Sequence, residues 1–481
     1  MPASTSNVDT LETTKPEVIV DVNPATSEII GHVPKSSVQE VSQTIENAQR
    51  AFQEWRNYPY PDRMRIFARF ADLIRKDSEN LAVLLTQEQG KTLNEARKEI
   101  NEGIRAIELF SGEIGRMNGE KIESDRKGFI AYTLRSPLGV TAIVTPWNYP
   151  VSIPLWKIAP CVMSGNTVVF KPASFTPITG TKIVELLREA GMPPYVVNCV
   201  LGDGSSVGDS LVRDHRVKAV SFTGSTEVGT RINKLASEHQ ARVQAEMGGK
   251  NSCVVLEDAD LELLTKDLVS AAFGVAGQKC TATSLLIVTE KIEAEVLRRV
   301  LKLVENIKVG NGMNEGVTMG PVVSQDRLDS ILHYIELGKK EGAKLMAGGF
   351  RLKGSEYDKG FFVAPTVFKD VSMDMTIAQE EIFGPVLSII PVSTFEEAIE
   401  VVNKSKYGLS SSIYTRDLTK ALDFVQRVET GITHVNIPTN HIEYQLPFGG
   451  IKDSGIGPPE QGKSAIEFFT ASRTVYVRYS W

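Results

Sequence analysis

The sequence predicts an α/β protein of two or more domains, and three observations support this prediction. The chain has 481 residues, which is too long for one ordinary hydrophobic core. From about residue 138, short apolar segments alternate with helical segments, as in a parallel sheet with helices on both faces. Hydrophobic residues make up 42% of the chain and charged residues 23%, a balance typical of globular proteins in water.

The first part of the chain is predicted to be mostly helical. The segment "SVQEVSQTIENAQRAFQEW" has apolar residues at helical spacing, and Ser37 stands where a cap is expected. A longer helical pattern over about 62–114 predicts several helices with a break near Gly90. The polar, acidic N-terminus, "MPASTSNVDTLETTKPEV", is unlike a secretory or transit peptide, and we expect a short disordered tail.

Four strands and three helices are predicted next. The strands are "LGVTAIVTP", "NTVVFKP", "YVVNCVLG" and "VKAVSFTGS"; the helices are a stretch ending near Gly165, "TGTKIVELLREAG" and "SSVGDSLVRDH". Ligands of parallel sheets bind beyond the carboxyl ends of the strands. The segments "TPWNYP", "KPASFTP" and "TGSTEVG" each follow a strand directly, so we expect them to lie together on one rim.

A second alternating segment, from about residue 251, predicts a second α/β domain. It includes "NSCVVL", helical "DADLELLTKDLVSAAFG", "SLLIVT", "GFFVAPTVFKDV", "EEIFGPVLSIIPV", helical "TFEEAIEVVNKS" and "LSSSIYT". The final "ASRTVYVRYS" alternates like a strand without an obvious partner nearby in the sequence. Such a terminal strand often pairs with a neighbouring subunit.

Composition excludes several classes of function. The net charge is only −6 and no basic block is present, so nucleic acid is not expected as a partner. No apolar run reaches the length of a membrane span. The four cysteines are too few and too widely spaced for a disulfide framework, which indicates a reducing, cytoplasmic location. The histidines form no pattern of zinc ligands, and no metal site is predicted.

Cys280, in "GVAGQKCTATS", allows four interpretations: a small core residue, a disulfide half, a metal ligand or a nucleophile. A nucleophile needs a base and a group that holds developing negative charge. Glu246, in "QAEMGGKN", is a candidate base because the two following glycines allow close backbone approach. Asn148, in "TPWNYP", offers a neutral amide donor for an oxyanion. Each residue taken alone is more often structural.

Together, "TPWNYP", "KPAS", "FTGSTEVG", "EMGGK", "GQKCTA" and "EEIFGPV" occur in an order and spacing that resemble the aldehyde dehydrogenase superfamily, from about residue 20 to 480. The resemblance implies the aldehyde dehydrogenase fold: a Rossmann-like NAD(P)-binding domain, an α/β catalytic domain and a small β oligomerisation arm. It places the NAD(P)-binding domain at 1–117 and 138–248, the catalytic domain at 249–455 and the oligomerisation segments at 118–137 and 456–481. It also implies a homo-oligomer, either a dimer or a tetramer.

The resemblance assigns catalytic roles by position. Cys280 would be the nucleophile and Glu246 the general base for water. The Asn148 side chain and the Cys280 backbone N–H would form the oxyanion hole, and Lys157 and Glu460 would relay the proton outward. An aldehyde would be oxidised to a carboxylic acid through a thiohemiacetal and a thioester, without a metal. Lys157 and Glu460 could equally be ordinary charged residues.

The resemblance also implies a nicotinamide cofactor. Ser225 and backbone N–H groups of "TGSTEVG" would hold the pyrophosphate, Lys171 the adenosine ribose, and Glu381 and Phe383 the nicotinamide side. NAD-preferring relatives carry a glutamate where Ser174 stands; serine removes the repulsion of a 2′-phosphate, so NADP should be accepted as well as NAD. The predicted cofactor-binding residues are Thr145, Pro146, Trp147, Lys171, Ala173, Ser174, Gly204, Gly224, Ser225, Val228, Glu381 and Phe383.

The substrate stays open at this stage. The segments "IPLWKIAP", "GQKCTATS" and "EFFTASRTVYV" resemble the 2-oxoglutarate semialdehyde branch of the family. Glu102, Trp156 and Leu285 stand where semialdehyde-oxidising relatives place arginines, so an acidic aldehyde would lose charge-assisted partners. Arg105, one helical turn from Glu102, could substitute, and Trp156 either lines a tunnel or only packs. Two alternatives remain, a CoA-acylating relative and a non-catalytic structural or binding relative.

Overall fold

The computed structural model of the protein describes residues 17–117 and 119–480. Residues 1–16 of the predicted N-terminal tail lie outside the described residues. The first strand begins at Val18. In the first half the elements are β1 (Val18–Val22), β2 (Ile29–Pro34), α1 (Val38–Trp55), α2 (Tyr60–Lys76), α3 (Ser78–Gln89), α4 (Leu93–Glu113), β3 (Lys121–Ile122), β4 (Phe129–Pro137), β5 (Val140–Val144), α5 (Ser152–Met163), β6 (Thr167–Lys171), α6 (Pro177–Glu189), β7 (Val197–Cys199), α7 (Asp209–Arg213), β8 (Val217–Gly224), α8 (Thr226–Ser237) and β9 (Arg242–Met247).

The second half begins with a strand that pairs with the cysteine-bearing segment. Its elements are β10 (Asn251–Val255), α9 (Leu261–Phe273), β11 (Thr283–Thr289), α10 (Glu290–Val304), α11 (Gln325–Lys340), β12 (Lys344–Ala347), β13 (Thr366–Lys369), α12 (Thr376–Gln379), β14 (Val386–Val392), α13 (Phe395–Asn403), β15 (Tyr407–Gly408), β16 (Ser410–Tyr414), α14 (Leu418–Arg427), β17 (Ile432–Val435), β18 (Ile451–Lys452), β19 (Gly455–Ile456), α15 (Gly462–Phe468) and β20 (Thr470–Arg478).

A six-stranded sheet in the order β19-β9-β8-β5-β6-β7 forms the centre of the first half. All of its neighbours are parallel except β19. Side chains alternate between two apolar cores, as the strand period requires. Val140 and Ala142 pack with residues of α1, α7 and α8, whereas Ile143 packs with residues of α2, α4, α5 and α6. The prediction of a parallel sheet covered on both faces is confirmed.

The helices of the first part begin and end near the predicted signals. Ser37 caps α1 in a capping box with Glu40. The predicted break near Gly90 is present, since this residue ends α3 in the left-handed conformation with φ 94°. The segment "SSVGDSLVRDH" differs from the prediction because it begins with a π turn over Gly204–Gly208, capped by Asp203, before α7.

A seven-stranded sheet in the order β12-β13-β14-β11-β10-β16-β17 forms the centre of the second half. Its strands are parallel apart from β12 at one edge. Its apolar core is continuous through Val254, Leu286, Ile389 and Ile413. The predicted second α/β unit is therefore present, and β11 follows Cys280 directly.

The C-terminal strand corrects one expectation. We found no obvious partner for "ASRTVYVRYS" nearby in the sequence and expected pairing with a neighbouring subunit, but β20 pairs antiparallel with β4 along its whole length, from Thr470 opposite Pro137 to Arg478 opposite Phe129. The sequence hid this pairing because the two strands are far apart in the chain. In the described part of the chain, β20 remains an edge strand of the three-stranded sheet β20-β4-β3. The domain boundaries given above remain a prediction.

Candidate active site

The carboxyl ends of β5, β6, β8 and β9 lie side by side at one edge of the first sheet. Val144 is opposite Lys171 on one side and Phe222 on the other, and Gly224 is opposite Met247. The segments that start with Thr145, Pro172, Ser225 and Gly248 therefore leave the sheet at one rim. This is the arrangement expected of "TPWNYP", "KPASFTP" and "TGSTEVG", and it adds the Glu246 segment to them.

Cys280 lies in a tight loop between α9 and β11. Val275 and Ala276 both adopt left-handed backbone conformations, with φ 54° and 53°, and Gly277 follows with φ 70°. A Cβ on Gly277 would lie 2.2 Å from the carbonyl oxygen of Gly384, so only glycine fits where the cysteine loop meets the segment after Phe383. Cys280 itself is half-buried and free.

Asn148 is bound to the cysteine loop. Its side-chain Nδ2 donates to the carbonyl oxygen of Gln278 at 2.9 Å, two residues before Cys280. Among the described residues this is the one bond that the amide nitrogen donates, so its second N–H is available to an oxyanion. The Asn148 backbone carbonyl accepts a bond from Lys91 Nζ at 2.8 Å. The backbone of Cys280 is held by Asn251, whose Nδ2 donates to the Cys280 carbonyl oxygen at 2.7 Å.

Glu246 ends β9 as a buried carboxylate, and neither of its oxygens has a hydrogen-bond partner in residues 17–117 and 119–480. Burial raises the pKa of Glu246 well above its usual value; Glu460 raises it further and Lys157 opposes the shift. Burial also raises the pKa of the Cys280 thiol, and the charge of Glu246 adds to this. The two groups are therefore electrostatically coupled, and a thiolate at Cys280 requires a proton acceptor or a nearby positive charge.

Lys157 and Glu460 form a buried ion pair. Lys157 Nζ also donates to Ser221 Oγ at 2.9 Å. Glu460 accepts from Trp156 Nε1 at 2.8 Å and from Thr223 Oγ1 at 3.1 Å. Both residues are buried, so they are not surface charges, and the alternative that they are ordinary charges of the core stays open. Sequence reasoning missed the hydroxyl partners Ser221 and Thr223, although both lie in the predicted strand "VKAVSFTGS".

The part of the rim predicted to hold the adenosine carries a lysine and a serine. Lys171 is buried at the end of β6, and burial lowers its pKa while Asp203 opposes the shift. Ser174 Oγ donates to the carbonyl oxygen of Gly202 at 3.0 Å. Ser225 caps α8 by accepting from the backbone N–H of Val228. The remaining predicted residues on this side, Ala173, Gly204 and Gly224, lie in the same strand-end segments.

The region predicted to hold the nicotinamide carries an acid and two aromatic rings. Glu381 accepts the backbone N–H of Gly249 at 3.1 Å, and burial raises its pKa to about 7. The rings of Trp147 and Phe383 lie 5.5 Å apart, nearly perpendicular. Thr145 Oγ1 is buried without a hydrogen-bond partner in the described structure, and Pro146 follows it. An unpaired hydroxyl, a buried ammonium and a carboxylate along one rim fit the ribose and phosphate groups of a dinucleotide.

The described residues contain neither a metal-ligand cluster nor a membrane-spanning helix. No three side chains of His, Cys, Asp or Glu are grouped so that they could hold a metal ion. No helix in residues 17–117 and 119–480 is long and apolar enough to cross a membrane.

Comparison with known proteins decides the family. The aldehyde dehydrogenase family model matches residues 11–475. The chain belongs to the aldehyde dehydrogenase family. It is 42% identical to the alpha-ketoglutaric semialdehyde dehydrogenase of Bacillus subtilis, with 95% of this chain and 94% of that protein covered. It is 41% identical to the 2,5-dioxopentanoate dehydrogenase of Saccharolobus solfataricus, with 96% of each covered.

Solved structures give the same assignment for the fold. The crystal structure of betaine aldehyde dehydrogenase from Staphylococcus aureus in complex with NAD+ superposes with a TM-score of 0.94 at 34% identity. The alignment covers 96% of this chain and 92% of that one. The protein therefore has the aldehyde dehydrogenase fold, and it is an oxidoreductase that acts on aldehydes.

Three positions of this aldehyde dehydrogenase bear on its substrate. Glu102, on α4, is solvent-accessible and accepts a bond from the Tyr444 hydroxyl at 3.4 Å. Trp156 is buried, and its ring lies 5.8 Å from Tyr444 and 6.0 Å from Phe448. Leu285 is buried, and its side chain packs in the apolar core of the second sheet.

Proposed function

We propose that the enzyme oxidises an aldehyde to a carboxylic acid through a covalent bond to Cys280, with NAD or NADP as the hydride acceptor. The observation that carries this proposal is the buried Glu246 carboxylate. Its oxygens have no partner in the described part of the chain, and its charge acts on the Cys280 thiol. Burial of a carboxylate without a hydrogen-bond partner costs free energy. A water molecule that donates a hydrogen bond to Glu246 would be such a partner, and the carboxylate could then take its proton.

The first half of the reaction forms a thioester. Cys280 loses its thiol proton to solvent water, and the thiolate sulfur attacks the aldehyde carbon. The resulting oxyanion accepts bonds from the free N–H of Asn148 and the backbone N–H of Cys280. The bound nicotinamide ring supplies the acceptor for the hydride that leaves this carbon. The carbon then remains bonded to sulfur as a thioester. The rings of Trp147 and Phe383, which lie 5.5 Å apart, would offer an apolar surface to a bound nicotinamide.

The second half releases the acid. Glu246 takes a proton from a water molecule as the water oxygen attacks the thioester carbon, and the carbon–sulfur bond breaks. The proton taken by Glu246 can pass toward the buried Lys157–Glu460 pair, whose charges act on Glu246. The burial of the pair and its hydrogen bonds to the hydroxyls of Ser221 and Thr223 support this proposed role.

We propose that the enzyme uses NAD and also accepts NADP. Ser174 places no negative charge next to the predicted ribose position, and Lys171 has a buried positive charge there. Because the Ser174 hydroxyl donates to Gly202, it would have to turn to donate to a 2′-phosphate. The solved relative binds NAD+, which supports the dinucleotide but leaves the preference between the two open to measurement.

The first substrate candidate is 2-oxoglutarate semialdehyde, with other small semialdehydes and aliphatic aldehydes as further candidates. Relatives named for this substrate are 41–42% identical over nearly the whole chain. Malonate-semialdehyde dehydrogenase 2 of Geobacillus kaustophilus is 38% identical. The carboxylate of Glu102 and the apolar Trp156 work against binding of an acidic aldehyde, so the acidic group must be held by other cations, of which Arg105 is the nearest candidate on α4.

A panel of acidic, aliphatic and aromatic aldehydes, each assayed with NAD and with NADP, tests the proposal. We expect turnover that does not require CoA, and no turnover for Cys280→Ser. Turnover only in the presence of CoA would show that the acyl group is transferred from Cys280 to CoA and that the thioester is not hydrolysed. Absence of aldehyde oxidation across the panel, in protein that is folded, would contradict the proposed function.

We also propose a reducing, cytoplasmic location, since all four cysteines are free.

A further inference from the structure

We propose that Lys91, Glu95 and Glu99, here called the α4 clamp, are positioning residues that hold the two donors of the oxyanion hole in place. This inference rests on the proposed function, because the oxyanion hole is part of it. Glu95 and Glu99 lie in the first two turns of α4, and Lys91 directly precedes the residue that caps this helix, Thr92. The bonds of all three residues end on the two loops that carry Asn148 and Cys280. The roles assigned from sequence do not include them.

Lys91 binds the backbone of Asn148 directly. Its Nζ donates to the Asn148 carbonyl oxygen at 2.8 Å and forms an ion pair with Glu99. The side chains of Lys91 and Glu99 are both fully buried. The ammonium group also lies 4.3 Å from the centre of the Tyr149 ring, within the range of a cation–π contact. The lysine therefore fixes the residue that supplies the amide and the residue after it.

Glu99 binds the next turn of the same loop. Its Oε1 accepts the backbone N–H groups of Val151 at 2.7 Å and Ser152 at 3.2 Å, where α5 begins. A carboxylate is favoured at this end of a helix because the first N–H groups are unpaired and the helix dipole is positive there. The Lys91–Glu99 pair thus holds the segment from Asn148 to Ser152 at several points.

Glu95 holds the cysteine loop. Its Oε1 accepts the backbone N–H of Val275 at 2.7 Å, at the first of the two left-handed residues before Cys280. A β-branched residue in this conformation is strained and needs support from its surroundings. Glu95 is itself fixed by a capping box with Thr92 at the start of α4. One helix end therefore braces both sides of the Asn148–Gln278 hydrogen bond.

A role in positioning accounts for a buried ion pair better than a role in stability. Replacing such a pair with apolar residues of similar volume is often neutral or stabilising. The bonds of this pair end on the oxyanion-hole loop, and a displacement of about 1 Å at a reacting group is enough to cost about 100-fold in rate. The clamp should therefore affect the acylation of Cys280 and leave the reactivity of its sulfur unchanged.

The test uses the full-length enzyme and two reagents for Cys280. The ester p-nitrophenyl acetate acylates the cysteine through a tetrahedral oxyanion, whereas iodoacetamide alkylates it without one. The variant Lys91→Met/Glu99→Gln removes the bond to the Asn148 carbonyl while avoiding an isolated buried charge. We expect acylation to be slower by about 10- to 100-fold, which is less than the roughly 100- to 1000-fold lost when an oxyanion donor is removed, because the donor is displaced and not deleted. The rate of alkylation and the affinity for NAD should stay within about twofold.

A double-mutant cycle separates positioning from a general structural effect. If the clamp acts through Asn148, the clamp variant should lose little further activity in an Asn148→Ala background, because the group that it positions is already gone. Additive losses would overturn the proposal, as would acylation by the clamp variant at the wild-type rate. Lys98→Met, which changes an exposed lysine on the same helix, serves as the matched control. If Lys91→Met/Glu99→Gln does not fold, Glu95→Gln replaces it in the same cycle, because Glu95 holds the loop that carries Cys280.

The two proposals fail differently in this experiment. A wild-type enzyme that the ester does not acylate at Cys280 would contradict the covalent mechanism and the clamp together. A wild-type enzyme that is acylated, with a clamp variant that behaves identically, would contradict the clamp alone.

Discussion

At the scale of single residues, the sequence indicates candidates for the reacting groups but not the residues that support them. Cys280, Glu246 and Asn148 lie in short motifs whose glycines, proline and neighbouring strands are visible in the sequence. Gln278 and the buried Lys91 are not marked in this way, since a lysine at the start of a helix usually faces water. Their roles depend on contacts with residues far away in the chain.

The pH dependence of thioester hydrolysis follows from the surroundings of Glu246. Burial raises the pKa of Glu246 and Glu460 raises it further, so the base form is lost as the pH falls through a pKa above the usual value. Glu460→Gln removes a negative charge, which lowers the pKa of Glu246, so the rising limb of the pH–rate profile should move to lower pH. Single-turnover hydrolysis measured from acid to alkaline pH tests this. A shift to higher pH would contradict it, and Glu262→Gln, exposed on α9, is the control.

We also expect cofactor choice to depend on one residue, Ser174. Ser174→Glu places a carboxylate where a 2′-phosphate is expected, so kcat/KM with NADP should fall by about tenfold or more while the value with NAD changes little. Ser174→Ala is the matched control, because it removes the bond to Gly202 without adding charge. Equal losses with both cofactors in the glutamate variant would mean that this residue does not face the ribose.

At the scale of elements, periodicity predicted most strands and helices but not their partners. The strands Val140–Val144 and Val217–Gly224 are rich in apolar residues and bounded by turn residues, so they are visible in the sequence. β4 was not predicted as a strand because its residues are mixed polar and apolar. The β1–β2 hairpin and the π turn at Gly204–Gly208 were missed because short elements give weak periodic signals.

The junction of the cysteine loop with the segment after Phe383 depends on one glycine. Gly277→Ala would place a Cβ 2.2 Å from the Gly384 carbonyl oxygen, and the left-handed conformation alone costs about 1–2 kcal/mol for a residue with a Cβ. We expect a lower Tm and a kcat reduced by about tenfold or more, because both loops must move apart. Thermal unfolding and steady-state kinetics measure the two effects.

A second glycine provides the comparison. Gly112, on α4, has no atom within 4 Å of an added Cβ, so Gly112→Ala should stabilise the helix by about 0.5–1 kcal/mol. Unchanged kinetics and stability in Gly277→Ala would show that the two loops do not require this close contact.

At the scale of the whole molecule, three sheets and their connections determine where the site lies. The strand-end rim of the first sheet meets the cysteine loop of the second where Asn148 bonds Gln278. The alternation of strands and helices predicted both large sheets, but the pairing of β20 with β4 joins segments from distant parts of the chain. No local pattern reveals such a pairing.

Assembly of the molecule is a prediction at this scale. The edge strand β20 exposes Tyr476 and Val477, and exposed edges of this kind favour association. We expect sedimentation equilibrium to give a dimer or tetramer, and Val477→Lys to weaken it. Val20→Lys, at a similarly exposed residue of β1, should leave assembly unchanged. A wild-type protein that sediments as a monomer would contradict this prediction.

The covalent thioester is the central claim, and mass spectrometry of Glu246→Gln enzyme quenched during turnover tests it most directly. This variant keeps the nucleophile and the oxyanion donors but lacks the base for hydrolysis, so acyl-enzyme should accumulate. The account predicts an added acyl mass on the tryptic peptide that contains Cys280, after one equivalent of reduced cofactor has formed. Reduced cofactor formed over many turnovers, with that peptide unmodified, would contradict it.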